Sequence, residues 1–116
     1  MKKFNPESKH VTLDFYSCKI PSEERIKKIF LKASAAAGAY VLDISMRKFP
    51  SGGYTGVVLL AESHITIHTW PEYSYVAIDI FMCGEDKSLL ASEYIKKKLE
   101  YEKVVERVLL RGNSFT

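Results

Sequence analysis

The sequence predicts an α+β fold: a two-layer sandwich in which one antiparallel sheet carries two helices on one face, in a βαββαβ-like order, with two such chains paired as a dimer. Three observations predict it. Segments with the two-residue apolar period of a strand and the 3.6-residue period of a helix follow one another in that order along the 116 residues. The middle segments are joined by connections of hairpin length, which favours antiparallel pairing. The face of the sheet away from the helices would carry Tyr, Trp, Ile and Val, an apolar surface that a second subunit would cover.

The elements follow in order. Val11, Leu13 and Phe15 alternate with Thr12 and Asp14, so His10 to Tyr16 reads as a half-buried strand. Ser22 with Glu23 and Glu24 is a helix start, Ile26, Ile29, Phe30, Ala33 and Ala37 recur at helical spacing, and Gly38 ends the run. Tyr40, Leu42, Ile44 and Met46 then alternate toward Lys48, before Pro50, Gly52 and Gly53 break the strand into a loop over 49–54. The stretch from Gly56 to Trp70 is rich in Val, Ile and Thr but too long for one ordinary strand, so a bend or break is expected near Glu62 and Ser63. A turn over 71–75, a return strand from Val76 to Met82, a helix from Asp86 with Leu90, Tyr94, Ile95 and Leu99 inward, and a last strand from Val104 to Leu110 complete the order.

Composition bounds the function. With 47% apolar and 27% charged residues, the chain has the make-up of a single domain over 1–116 with one modest core. A net charge of +3 is mild, and Lys96, Lys97 and Lys98 sit among Glu93, Glu100 and Glu102, the pattern of a solvated helix face and a poor one for binding nucleic acid. No apolar run approaches the roughly 20 residues of a membrane helix. The opening residues lack an apolar leader, so Cys18 and Cys83 are expected to be free thiols in a reduced, cytoplasmic protein.

One segment is dense in chemistry. Residues 62–73 read Glu-Ser-His-Ile-Thr-Ile-His-Thr-Trp-Pro-Glu-Tyr, and Cys83 follows ten residues later. If the hairpin turns around Tyr73, facing residues have numbers that sum to about 146, which sets Ser63 opposite Cys83 on one side of the sheet. Glu62, His64, Thr66, His68 and Trp70 then point to the other side, and His68 reaches Ser63 only if the strand twists or breaks. His64 and His68 have the four-residue spacing of a helical zinc site, but on a strand they lie about 13 Å apart, so no metal is expected. A serine hydrolase is disfavoured, because Ser63 is followed by a strand and lacks the Gly-x-Ser-x-Gly elbow.

The twelve-residue segment closely resembles the cleavage-site motif of the bacterial and archaeal S-adenosylmethionine decarboxylases. The likeness extends to Lys9-His10-Val11 with Asp14-Phe15-Tyr16, to Ala35 through Leu42, to Gly56-Val57-Val58, and to Ala77 through Phe81 with Cys83-Gly84, spanning about residues 9–85. The resemblance implies a proenzyme that cuts itself between Glu62 and Ser63 into chains 1–62 and 63–116. Ser63 would become a covalent pyruvoyl group, the cofactor that holds S-adenosylmethionine as a Schiff base while carbon dioxide leaves, giving the aminopropyl donor of spermidine synthesis.

By the same resemblance, His68 is the acid/base group of self-processing and Cys83 the acid that protonates the substrate carbon. Phe49 and Trp70 are aromatics near the adenine, Glu72 is an acid that helps hold the substrate, and Thr55, where the family usually has serine, assists processing and placement. Two further departures are Met46 where a histidine is common and Met82 where a small polar residue is, both expected to touch rate and substrate fit. His64 and Cys18 are read as structural. Taken singly, Ser63, His68 and Cys83 would be ordinary turn or core residues; their joint match favours chemistry. The alternatives are a pyruvoyl-dependent arginine decarboxylase and a ligand-binding relic of the family that no longer cleaves.

Overall fold

The structure, a computed structural model, describes residues 8–84 and 86–112. Strand β1 (Ser8–Tyr16) leads into helix α1 (Glu23–Ala36), then strands β2 (Val41–Lys48), β3 (Tyr54–Leu60) and β4 (Ser63–Trp70). A 3-10 turn (Pro71–Tyr73) precedes β5 (Tyr75–Cys83), helix α2 (Lys87–Lys98) and β6 (Lys103–Arg111). All six strands form one sheet in the order β2-β3-β4-β5-β1-β6, and every neighbouring pair is antiparallel. This is the α+β sandwich that the periodicities predict. Among the described residues no helix is long and apolar enough to cross a membrane.

Helix α1 starts where its sequence says. The Ser22 hydroxyl accepts from the Arg25 N–H at 3.1 Å, Glu23 and Glu24 occupy the positive end of the helix, and Gly38 closes it at φ +69°, a conformation that favours glycine. Ile26, Ile29, Phe30 and Ala33 are buried against the sheet, whose inner face presents Val11, Leu13 and Phe15 of β1, Ile65 and Ile67 of β4, and Val76, Ile78 and Ile80 of β5. The isoleucines therefore line the helix layer, and the opposite face carries the tyrosines, tryptophan and valine that were expected there.

Three details differ from expectation. A bulge between Val41 and Asp43 turns Val41 inward and leaves Leu42 57% exposed, so the simple alternation fails at the start of β2. On α2 the face against the sheet is Ser88, Ala91, Ser92 and Ile95; Tyr94 is half-buried and Leu90 is 50% exposed, although Leu99 is buried as expected. Small residues let this helix approach closely, and their hydroxyls are satisfied. Ser88 Oγ accepts from Met82 N–H at 3.0 Å and donates to the Lys9 carbonyl at 2.6 Å, while Ser92 donates to the Glu106 carboxylate, which also holds Lys96. The third difference is the β4–β5 register, taken up with the site.

Ser88 thus ties α2 to β1 and β5 one residue from Cys83. Ser88→Ala strands a buried N–H and weakens a buried carbonyl, so we expect a loss of about 1–3 kcal/mol, read as a lower midpoint in urea unfolding with unchanged slope.

Candidate active site

The break in the long β-rich stretch is a two-residue turn, Ala61-Glu62, between the paired residues Leu60 and Ser63. Glu62 sits at φ +61°. Its side chain makes that left-handed conformation unfavourable by about 1–2 kcal/mol, so strain is held at the residue whose carbonyl begins the Glu62–Ser63 peptide bond. That carbonyl accepts from the Cys83 thiol, Sγ to O 3.4 Å, and Ser63 Oγ accepts from the Cys83 backbone N–H at 3.2 Å. A hydroxyl, a polarised carbonyl and a thiol are thereby gathered at one end of the β4–β5 hairpin.

The register that brings them together is not the expected one. His64 faces Phe81, His68 faces Ala77 and Trp70 faces Tyr75, a sum of 145 where 146 was expected, because the 3-10 turn closed by Ser74 at φ +49° leaves four residues between the strands. Cys83 consequently alternates with Phe81, Asp79 and Ala77 on the open face, the face of His64 and His68, and no longer stands directly opposite Ser63. The two still meet because Ser63 is at the strand end, where the turn brings its hydroxyl to the Cys83 N–H.

The other sequence-predicted residues gather at the opposite end of β4. Phe49, Thr55, His68, Trp70 and Glu72 line one shallow cleft of about 210 Å³ together with residues 51, 53, 54 and 69. Phe49 enters from the β2–β3 loop, whose ends are tied by Phe49 N–H to the Gly53 carbonyl at 2.8 Å. Gly53 is required there: a Cβ would lie 2.6 Å from the Thr69 carbonyl oxygen, a backbone atom that cannot move aside. Thr55 and His68 face each other on β3 and β4, and Thr55 Oγ1 shares a 3.0 Å hydrogen bond with His68 Nδ1. In the tautomer that accepts protons at Nε2, the Nδ1–H donates to Thr55, and the free nitrogen points away from it. The threonine's extra methyl leaves this bond intact.

Within one chain these two groups do not meet. Ser63 and His68 are five residues apart on a continuous strand, roughly 16 Å at about 3.3 Å per residue. No bulge interrupts β4 between His64 and His68 in either of its pairings.

The chain's relatives bear on what this arrangement is. The family model described as S-adenosylmethionine decarboxylase matches residues 9–112. The chain is 40% identical over 108 residues to the S-adenosylmethionine decarboxylase proenzyme of Thermosipho melanesiensis, covering 90% of this chain and 83% of that protein. It is 41% identical over 107 residues to the proenzyme of the same name from Persephonella marina, covering 89% and 80%. The chain belongs to the S-adenosylmethionine decarboxylase family. The crystal structure of the adenosylmethionine decarboxylase of Aquifex aeolicus superposes with a TM-score of 0.84 at 32% identity, over 96% of this chain and 95% of that one.

Against that family, two of the sequence departures fall outside the cleft. Met82 is fully buried on the helix side, and Met46 packs over Gly56, where an added Cβ would meet its sulfur. Both are packing residues, which corrects the expectation that they touch the substrate. Cys18 is also a core residue, with burial pushing its thiol up to about 11. Both cysteines are free thiols. Sequence reasoning missed the open-face cluster of Asp14, Tyr75 and Arg107 beside Trp70. Counting four residues in the 71–74 turn would have set Tyr75 against Trp70, but nothing local marks the link to Asp14, which is made across strands distant in sequence.

Proposed function

We propose that this chain is a proenzyme of S-adenosylmethionine decarboxylase that cuts itself between Glu62 and Ser63, carries a pyruvoyl group derived from Ser63, and works as a homodimer with each site built from both copies. The observation that carries the reading is the Cys83 thiol on the Glu62 carbonyl beside the Ser63 hydroxyl, in a chain of this family.

The chemistry of cleavage follows from those contacts. Ser63 Oγ replaces the Ser63 nitrogen on the Glu62 carbonyl carbon, turning the peptide bond into an ester while the Cys83 thiol polarises the carbonyl. Loss of the Ser63 α-proton then expels the Glu62 carboxylate, and water releases the nitrogen as ammonia. The hydroxyl proton needs an acceptor that can later return it, a task for histidine near neutral pH. His68 of the same chain is about five strand residues away, so His68 of a second copy is the group assigned here. An open face bearing Tyr16, Val57, Leu59, Trp70 and Leu109, each at least 37% exposed, supports the pairing.

The residues around Ser63 fit the pyruvoyl group, whose carbonyl supplies an electron sink for decarboxylation of an amino acid. Cleavage removes the Glu62 carbonyl from Cys83, so the thiol that served the cut is freed to deliver a proton to the substrate carbon. Across the dimer, Phe49 and Trp70 offer flat apolar surface to the adenine, and Glu72 offers a carboxylate to ribose hydroxyls or the sulfonium.

Intact mass of the purified protein should show chains 1–62 and 63–116, the second lighter by one ammonia than a serine-started chain, and processed protein should release carbon dioxide from S-adenosylmethionine. Phe49→Ala and Trp70→Ala should each lower kcat/KM by roughly 5- to 150-fold, since base–aromatic stacking is typically worth about 1–3 kcal/mol. Carbon dioxide from arginine and none from S-adenosylmethionine would replace this substrate with the other. An uncut chain that binds the nucleoside would mark a relic.

A further inference from the structure

Trp70 is braced from behind. Its indole lies 5.2 Å from the ring of Tyr75, its partner across the β4–β5 register, at an interplanar angle of 32°. Tyr75 stacks in turn on Tyr16 of β1, 5.4 Å away at 29°. The Tyr75 phenol donates a 2.6 Å hydrogen bond to Asp14 Oδ1, and Arg107 of β6 donates to Asp14 Oδ2 at 3.0 Å. The row of rings thus crosses β4, β5 and β1 and ends on a carboxylate that is itself held by a guanidinium.

A ring that only covered the sheet would need no such anchor, and phenylalanine would fill the same space. The hydrogen bond to a charged acceptor instead fixes the ring's position along the sheet, and burial with the Asp14 carboxylate pushes the phenol well above its usual range, keeping it a donor. Trp70 is 38% exposed and its residue caps the 3-10 turn at φ −127°, ψ 87° with no side-chain cap bond, so nothing on its own element holds the indole in one orientation. Tyr75 supplies that restraint.

We propose that Tyr75, anchored by Asp14, is a positioning residue that fixes the plane in which Trp70 meets the nucleoside of the substrate. The inference rests on the reading that Trp70 stacks on the adenine. An aromatic clamp already held in its bound orientation loses less conformational freedom when the ligand arrives, so the restraint acts on substrate affinity and not on the chemical step.

The test uses full-length, self-processed Tyr75→Phe and Asp14→Asn proteins. Each is expected to raise KM for S-adenosylmethionine about three- to tenfold with kcat within about twofold, the range expected from losing one charge-assisted hydrogen bond. The chain's single tryptophan makes a second readout independent of activity. Iodide should quench its fluorescence more strongly in both variants than in the parent dimer, before and after cleavage. Unchanged KM, or quenching equal to the parent, overturns the inference. Trp70→Ala separates this failure from that of the underlying reading: if it too leaves KM unchanged, stacking itself is wrong, whereas raised KM in Trp70→Ala with normal KM in Tyr75→Phe removes only the brace.

Discussion

Protein carrying Ser63→Ala is expected to remain one chain of 116 residues and to release carbon dioxide at least about 10³-fold more slowly than the parent, because the substitution removes the oxygen that attacks Glu62 and with it the source of the electron sink. The fold should survive. Ser63 is half-buried at the start of β4, and the substitution deletes little beyond the hydrogen bond that its hydroxyl accepts from the Cys83 N–H. Circular dichroism and the unfolding midpoint should therefore stay close to the parent while the electrophoretic pattern changes from two bands to one. A second band at the same bond in Ser63→Ala would require another nucleophile and would remove Ser63 from the mechanism.

The second large effect is complementation. His68→Ala alone should slow cleavage by about 10²–10⁴-fold, the usual worth of a general acid–base group. Co-expressed with Ser63→Ala in equal amount, it should be rescued. In a mixed dimer one site holds Ser63 from the His68→Ala copy and His68 from the Ser63→Ala copy, and the other site holds neither. Random pairing puts about half of the His68→Ala chains in such dimers, so about half should be cut, and none of the Ser63→Ala chains. A size tag on one of the two makes the fragments assignable. If neither chain is cut while mixed dimers are present, His68 acts within its own chain and the shared site is wrong.

Much of this arrangement is legible in the sequence. The period-two runs at Val11 to Phe15 and Ala77 to Phe81, the Ser22 cap and the Gly38 stop each follow from local chemistry, and local chemistry is what a sequence displays. The 62–73 motif stands out by its density and its likeness to one family. What failed depended on distance. The β4–β5 register turned on whether the connection held three residues or four, and one residue decides which face Cys83 occupies. The bulge at Val41 arises from pairing with β3, and the sheet-facing side of α2 is set by Ser88 and Ser92 finding partners on β1, β5 and β6, where an apolar pattern alone favours leucine. The bracing of Trp70 by Asp14 joins residues more than fifty positions apart and leaves no periodic trace.

The strand order carries a consequence for the protein's life after cleavage. The piece ending at Glu62 would own β1, β2 and β3, and the piece starting at Ser63 would own β4, β5 and β6. Three of the five strand pairings, β3–β4, β1–β5 and β1–β6, would cross between them, with β1 threaded between two strands of the other piece. Such halves cannot slide apart without tearing out the middle of the sheet, so the severed protein stays whole under native conditions. Once unfolded, it faces a different problem from the one it solved at birth: the uncut chain finds its partners at the high effective concentration of a tether, whereas the cut pieces must find each other by diffusion. Assembly is then a one-way door, passed while the backbone is continuous and slow, concentration-limited and prone to aggregation ever after.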